Sequence, residues 1–280
     1  MKIVFAGTAE FAVPSLESLH KAGHEIQLVI TQPTRPGHRM KPAPPPVKLA
    51  ADALNLEVIQ PARIKAPEVA EQMRGLAPDL LVVVAYGQLI PESVLSIPRL
   101  GAVNVHASLL PRHRGAAPVA NAILSGDRET GVTIMRMDAE LDHGPIISSR
   151  KTAIGDTEDA AMLTKRLAVM GAQLLVETLK SIERIAPMEQ EHAQATFTPR
   201  LRREDGELDW GVGPAEIDRR VRGLQPWPGV TLPTSKGRVK VLSGHIDGDR
   251  YVLDVVQLPG KKPALAKQVL PDEPGERRAP

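Results

Sequence analysis

Apolar positions along the chain gather into short unbroken runs: KIVFAG at residues 2–7, IQLVIT at 26–31, LEVIQ at 56–60, LLVVVAYG at 80–87 and GAVNVHA at 101–107. Each run has the length and β-branched content of a strand. Helical patterns such as VPSLESLHKAG (13–23) and PPVKLAADALN (45–55) lie between them. Strands apolar on both faces and separated by helices predict a parallel sheet covered on both sides. TGVTIMRMD (130–138) and GPIISSRKTAI (144–154) read as a further strand pair near the sheet edge, and a long amphipathic helix is expected over roughly residues 157–185, entered through the acids of GDTED. The expected fold is α/β: a Rossmann-like, mostly parallel sheet with helices on both faces, plus a small C-terminal β domain.

The polar stretch 186–208 reads as a surface linker. Beyond it, the helical PAEIDRRVRGL (214–224) and the strand-like GRVKVLSG (237–244) and RYVLDVVQL (250–258) make up the small domain, placed at 209–270. The catalytic domain is placed at 1–185, and the tail 271–280 is expected to be disordered. No apolar stretch approaches the roughly 20 residues of a membrane span, and the first apolar run meets Glu10 too soon for a signal peptide. A cytoplasmic, monomeric protein is expected.

Composition removes several chemistries. With no cysteine in 280 residues there is no disulfide framework, thiolate metal site or cysteine nucleophile. None of the eight histidines shows paired metal-ligand spacing, so no metal is expected. His113 reads as a solvated loop residue, and His143 as a position where the backbone matters more than the imidazole. The turn after the first strand, FAGTAEF, lacks both G-x-G-x-x-G and the Walker pattern, which argues against a nucleotide cofactor. A net charge of +2 means that any polyanion must be met by local basic patches.

The candidate chemistry sits where the fifth strand runs out. Residues two apart on a strand face the same side, so Asn104 and His106 point together into whatever lies at its carboxyl end. An asparagine amide can hold a carbonyl oxygen as it becomes an oxyanion, and histidine exchanges protons near neutrality. That pair suits acyl transfer. A bare Asn-x-His is more often a pair of satisfied core residues, and its neighbours decide between the two readings. SLLPRHRGAAP follows directly, and MDAELDHGPI supplies a carboxylate past the next strand.

With these motifs the chain resembles the folate-dependent formyltransferases, whose signature is Asn-x-His, a Ser-Leu-Leu-Pro-x-x-Arg-Gly loop and an Asp in a Leu-Asp-x-Gly turn. Asn104, His106 and Asp142 match the three catalytic positions. A narrower likeness, to family members that act on charged initiator tRNA, extends through VFAGTAEFAVPSL, TQPTRP, PPPVK, ATFTPRL and PWPG. The resemblance implies 10-formyltetrahydrofolate as donor substrate and the α-amine of methionyl initiator tRNA as acceptor. It also implies an OB-like C-terminal domain, here one that lacks a strand or two between VKVLSG and GDRYVLDVVQL.

Donor contacts are expected from Val84, Ala85, Tyr86, Gly87, Gln88 and Leu89, from Ser108, Leu109, Leu110 and Pro111, and from Asp138 and Leu141. The tRNA would be met by Arg35, Arg39 and Lys41 in the proline-flanked loop 33–46, and by Arg114, Arg202 and Arg203, with DRRVR either extending the phosphate track or forming a solvated face. Three alternatives remain open at this point: a formyltransferase on a small amino sugar, a 10-formyltetrahydrofolate hydrolase, or a catalytically silent tRNA-binding module.

Overall fold

The computed structural model describes residues 1–36 and 42–271. In chain order its strands are β1 (Lys2–Gly7), β2 (Glu25–Ile30), β3 (Arg35–Pro36), β4 (Pro42–Ala43), β5 (Val58–Ile59), β6 (Leu80–Val84), β7 (Ala102–His106), β8 (Arg114–Gly115), β9 (Glu129–Arg136), β10 (Ile146–Ala153), β11 (Phe197–Thr198), β12 (Val230–Thr234), β13 (Gly237–Asp247), β14 (Arg250–Gln257) and β15 (Ala264–Leu265). The helices are α1 (Val13–Lys21), α2 (Pro46–Ala53), α3 (Pro67–Leu76), α4 (Glu92–Leu95), α5 (Pro118–Leu124), α6 (Ala160–Leu179), α7 (Pro214–Gly223) and α8 (Ala266–Val269). The chain forms two compact units: Met1–Arg114, Gly131–Lys151 and Thr164–Phe197 in the first; Gly115–Thr130, Thr152–Leu163 and Thr198–Pro280 in the second.

A seven-stranded sheet runs in the order β10-β9-β7-β6-β1-β2-β5. β1 pairs in parallel with β2 and β6, β2 with β5 and β6 with β7, while β7 and β9 are antiparallel. All five apolar runs are therefore strands, and the 130–138 and 144–154 segments form the expected edge pair. The chain builds outward from β1 to β5, then returns to lay β6 on the other side. Order reverses there, the place where open α/β sheets bind ligands beyond their strand ends. Every side chain of β6 is buried, which is why LLVVV shows no alternation. Proline in the first turn opens α1, α2, α3, α5 and α7, where its missing N–H has no intrahelical partner to lose.

α6 is shorter than the sequence pattern suggests at both ends: it stops at Leu179 and not near 185, and Asp159 rather than Thr157 precedes its first turn. The Asp159 Oδ1 accepts the Met162 N–H at 2.7 Å. Gly171 sits mid-helix, where glycine normally weakens a helix, because a Cβ would come within 2.9 Å of Val105 and 3.2 Å of Val132. Its absence lets α6 lie close on β7 and β9 and brace the strand that carries Asn104 and His106.

In the second unit, β12-β13-β14-β15 form one antiparallel sheet. VKVLSG does not end a strand: β13 runs 11 residues to Asp247 and turns through Gly248 (φ 60°) directly into β14. Among the described residues the sheet is open, with β12 and β15 as its edges. Leu208, Ile217, Val221, Leu224, Val230, Leu232, Val241 and Tyr251 pack its core against α7.

Candidate active site

Asn104 and His106 occupy the last turns of the pleat in β7, opposite Val83 of β6 and Met135 and Thr133 of β9. Asp142 reaches them from the turn between β9 and β10. Its Oδ1 accepts from Asn104 Nδ2 at 3.3 Å and lies 3.6 Å from His106 Nδ1. The His106 and Asp142 side chains are only 6% and 11% exposed, so solvent screens little of what passes between them. The three side chains that the motif singled out thus converge on one point at a strand end.

His106 is oriented from behind. Its Nε2 lies 2.9 Å from the His113 carbonyl oxygen. A carbonyl only accepts, so Nε2 carries the hydrogen and Nδ1 is the atom turned toward Asp142. His113 presents that carbonyl from a left-handed conformation (φ 58°), and its own N–H is held by Thr196 Oγ1 at 2.8 Å. The expectation that His113 is a solvated loop residue is therefore corrected: it is buried, and its backbone carbonyl fixes the His106 imidazole.

Thr133 shapes the same loop, its hydroxyl donating to Ser108 O at 2.7 Å and accepting from the Leu110 N–H at 3.2 Å. Ser108 is fully buried with its hydroxyl given to Arg112 O at 2.6 Å, so it builds the loop and presents no side chain to a ligand. Leu110 is buried too, while Leu109 and Pro111 are half-buried.

The strand end at Val84–Leu89 divides by side. Val84 and Tyr86 point into the core, and the Tyr86 carbonyl accepts from Thr8 Oγ1 at 2.8 Å and Gln32 Nε2 at 2.9 Å. Gln88 spends its amide on the Ile64 N–H and Ala62 O. What this stretch offers a ligand is the exposed residues Ala85 (φ 43°) and Gly87 (φ 86°) and the Leu89 side chain, 78% exposed. On the Asp142 turn, Leu141 is exposed, and Asp138 accepts the Glu140 N–H and pairs with His143 Nδ1 at 2.7 Å. The His143 ring lies flat on His192, centroids 4.1 Å apart, so its imidazole is a structural part of the turn, contrary to the sequence reading.

Arg114 also differs from expectation. It is 3% exposed, and its guanidinium donates to Gln190 Oε1 (2.7 and 3.2 Å) and to His192 Nδ1 (2.9 Å). A cation held this way is not a phosphate contact, because reaching solvent would break buried bonds. Gln190 escaped the sequence reading altogether: it lies in the stretch taken for a surface linker, yet it is buried. No local pattern marks it, since its partners are 46 to 76 residues away.

Arg202 and Arg203 are exposed at the start of a short 3-10 turn in the second unit. In α7, Arg220 pairs with Glu216 and Arg222 with Asp218, so those two arginines form a salt-bridged face and not a phosphate track. Arg39 and Lys41 lie outside the described residues, and of Arg35 only the backbone, in β3, is described. Among the described residues no group of three or more histidine or carboxylate side chains is arranged to hold a metal ion, and no helix is long and apolar enough to cross a membrane.

Residues 1–179 match the family model described as formyl transferase, and residues 200–261 the model of its C-terminal domain. The methionyl-tRNA formyltransferase of Solibacter usitatus is 52% identical over 232 residues, 82% of this chain and 75% of that one. The protein of the same name from Methylococcus capsulatus is 49% identical over 242 residues, covering 85% and 78%. Among solved structures, WlaRD, a sugar 3N-formyl transferase crystallised with dTDP and 5-N-formyl-THF, superposes with a TM-score of 0.68 over 89% of this chain and 88% of its own, at 18% identity, a likeness of fold alone. The chain thus belongs to the formyltransferase family, among the members named methionyl-tRNA formyltransferase.

Proposed function

We propose that the protein transfers the formyl group of 10-formyltetrahydrofolate to the α-amine of methionyl initiator tRNA, with Asn104, His106 and Asp142 as its catalytic residues. The observation that carries this reading is their convergence within 3.6 Å at the carboxyl end of β7.

A free α-amine has a pKa of about 7.7–8.0 and an ester lowers it, so much of the acceptor is already a neutral nucleophile. The site has to hold amine and formyl carbon in contact and stabilise the charge that develops on the formyl oxygen. Asn104 Nδ2 has two hydrogens, one directed at Asp142, and the second serves that oxygen. His106, anchored through Nε2, presents Nδ1 to the same space. Asp142 takes the proton from the attacking nitrogen as the new C–N bond forms. The bond from the formyl carbon to the donor nitrogen then breaks, and that nitrogen takes up a proton.

The donor's flat heterocycle is read by the backbone of the exposed residues Ala85 and Gly87, with Leu89 and Leu141 flanking it. The acceptor stem is met by Arg35, Arg39 and Lys41, and Arg202 and Arg203 are read separately as phosphate contacts of the small domain. The division into a catalytic part, 1–185, and a β domain, 209–270, belongs to this reading.

The test offers the protein 10-formyltetrahydrofolate with charged initiator tRNA, charged elongator tRNA or a nucleotide-linked amino sugar. Formylation of the initiator tRNA above both others is expected. Faster formylation of the amino sugar would overturn the assignment.

A further inference from the structure

We infer that Gln190 is a positioning residue that sets the catalytic carboxylate of Asp142, an inference that rests on the reading of Asp142 just given. Asp142 stands in the left-handed region, at φ 48°, which costs a non-glycine residue free energy and persists only where its surroundings impose it. The carbonyls on either side of the turn are both engaged by one group: Gln190 Nε2 donates to Asp142 O at 3.0 Å and to Gly144 O at 2.7 Å. Two hydrogens on one nitrogen thus fix two carbonyls two residues apart, and with them the direction in which the Asp142 side chain leaves the backbone.

The amide itself cannot turn over. Its Oε1 accepts twice from the buried Arg114 guanidinium, so a flip would set the Gln190 amine against a cation with no acceptor. Arg114 is tied in turn to His192 Nδ1, and it belongs to the loop whose His113 carbonyl anchors His106. One buried side chain therefore links the backbone that orients the carboxylate to the loop that orients the imidazole. His106 and Asp142 are set against each other from a single post.

The experiment compares Gln190→Ala and Gln190→Glu, each alone and combined with Asp142→Asn, measuring formylation turnover alongside thermal unfolding. Glutamate keeps the acceptor for Arg114 but loses both donors to the turn. Each single variant is expected to fold and to lose at least about tenfold in kcat, since misplacing a catalytic group by an ångström costs up to about a hundredfold. In the Asp142→Asn background Gln190→Glu, which keeps the Arg114 contact, should lose little more, because residues acting through one group are not additive. Wild-type turnover in Gln190→Glu would overturn the inference and assign Gln190 to satisfying Arg114. So would an undiminished further loss from Gln190→Glu on top of Asp142→Asn. If Asp142→Asn itself kept near-normal turnover, the proposed function would fall first and this inference with it, an outcome distinct from the other two. Should Gln190→Ala fail to fold, Gln190→Glu carries both comparisons.

Discussion

Replacing Gly144 by alanine should damage catalysis without adding or removing a reactive group. A Cβ at this position would lie 2.2 Å from the Arg136 carbonyl oxygen, against 3.4 Å for ordinary contact. The Arg136 end of β9 has little freedom, since its N–H is held by Pro145 O at 2.9 Å and its guanidinium by Leu100 O. The turn must therefore give way by about 1 Å, and Asp142, two residues upstream, moves with it. A displacement of that size costs on the order of a hundredfold in turnover, about 2.7 kcal/mol of transition-state stabilisation. The assay is the initial rate of formylmethionyl-tRNA formation at saturating substrates, with thermal unfolding as a check on folding. Gly75→Ala is the control: nothing lies within 4 Å of its new methyl group, and late in α3 it should leave turnover unchanged and stabilise by up to about 1 kcal/mol. A folded Gly144→Ala protein with wild-type turnover would refute the argument that backbone contact at this turn sets the carboxylate.

Asn104→Ala, His106→Ala and Asp142→Ala should each lower turnover by about a hundredfold or more with the thermal midpoint nearly kept, as read by the same two assays. Tyr86 is buried, its hydroxyl has no hydrogen-bond partner among the described residues, and burial pushes its pKa up to about 12. The folded state thus holds that proton more tightly than the unfolded one, whose tyrosine titrates near 10, so this stability is fully present below about pH 10 and is lost as pH rises toward 12. Tyr86→Phe should be neutral or stabilising at pH 7 and should flatten that alkaline decline, checked by thermal midpoints at pH 8 and 10.5. Arg39→Ala should weaken use of charged tRNA, leave donor binding intact, and reduce the logarithmic salt slope of tRNA binding by about one unit.

The chain's own pattern made the sheet and the heart of the site legible, and the reasons are local. Five apolar runs with helices between them leave little choice but a parallel sheet, and Asn104 and His106 share a face because a strand alternates. Asp142 could be placed near them only through its motif, since a turn 36 residues past His106 carries no spacing rule. Other parts depended on contacts far apart in sequence. Arg114 looks like a surface cation in PRHRG until Gln190 and His192 cover it, and His113 looks solvated until Thr196 draws its backbone inward. Gln190 sits in a polar stretch with no periodicity, and only the fold gives it four hydrogen bonds. The length of β13 depends on pairing in the same way: the strand-like run stops at Gly244, but antiparallel pairing with β14 carries the strand on to Asp247.

The central claim is transfer of a formyl group from a folate donor to an aminoacyl amine, and the most direct measurement follows that carbon. The protein is incubated with 10-formyltetrahydrofolate labelled in the formyl group and methionyl initiator tRNA, the product is deacylated, and the label is counted. The account predicts that the label appears in N-formylmethionine in step with the tetrahydrofolate released, and that its appearance slows by about a hundredfold or more when Asn104, His106 or Asp142 is replaced. Label released as free formate, with unmodified methionine recovered from the tRNA, would contradict it.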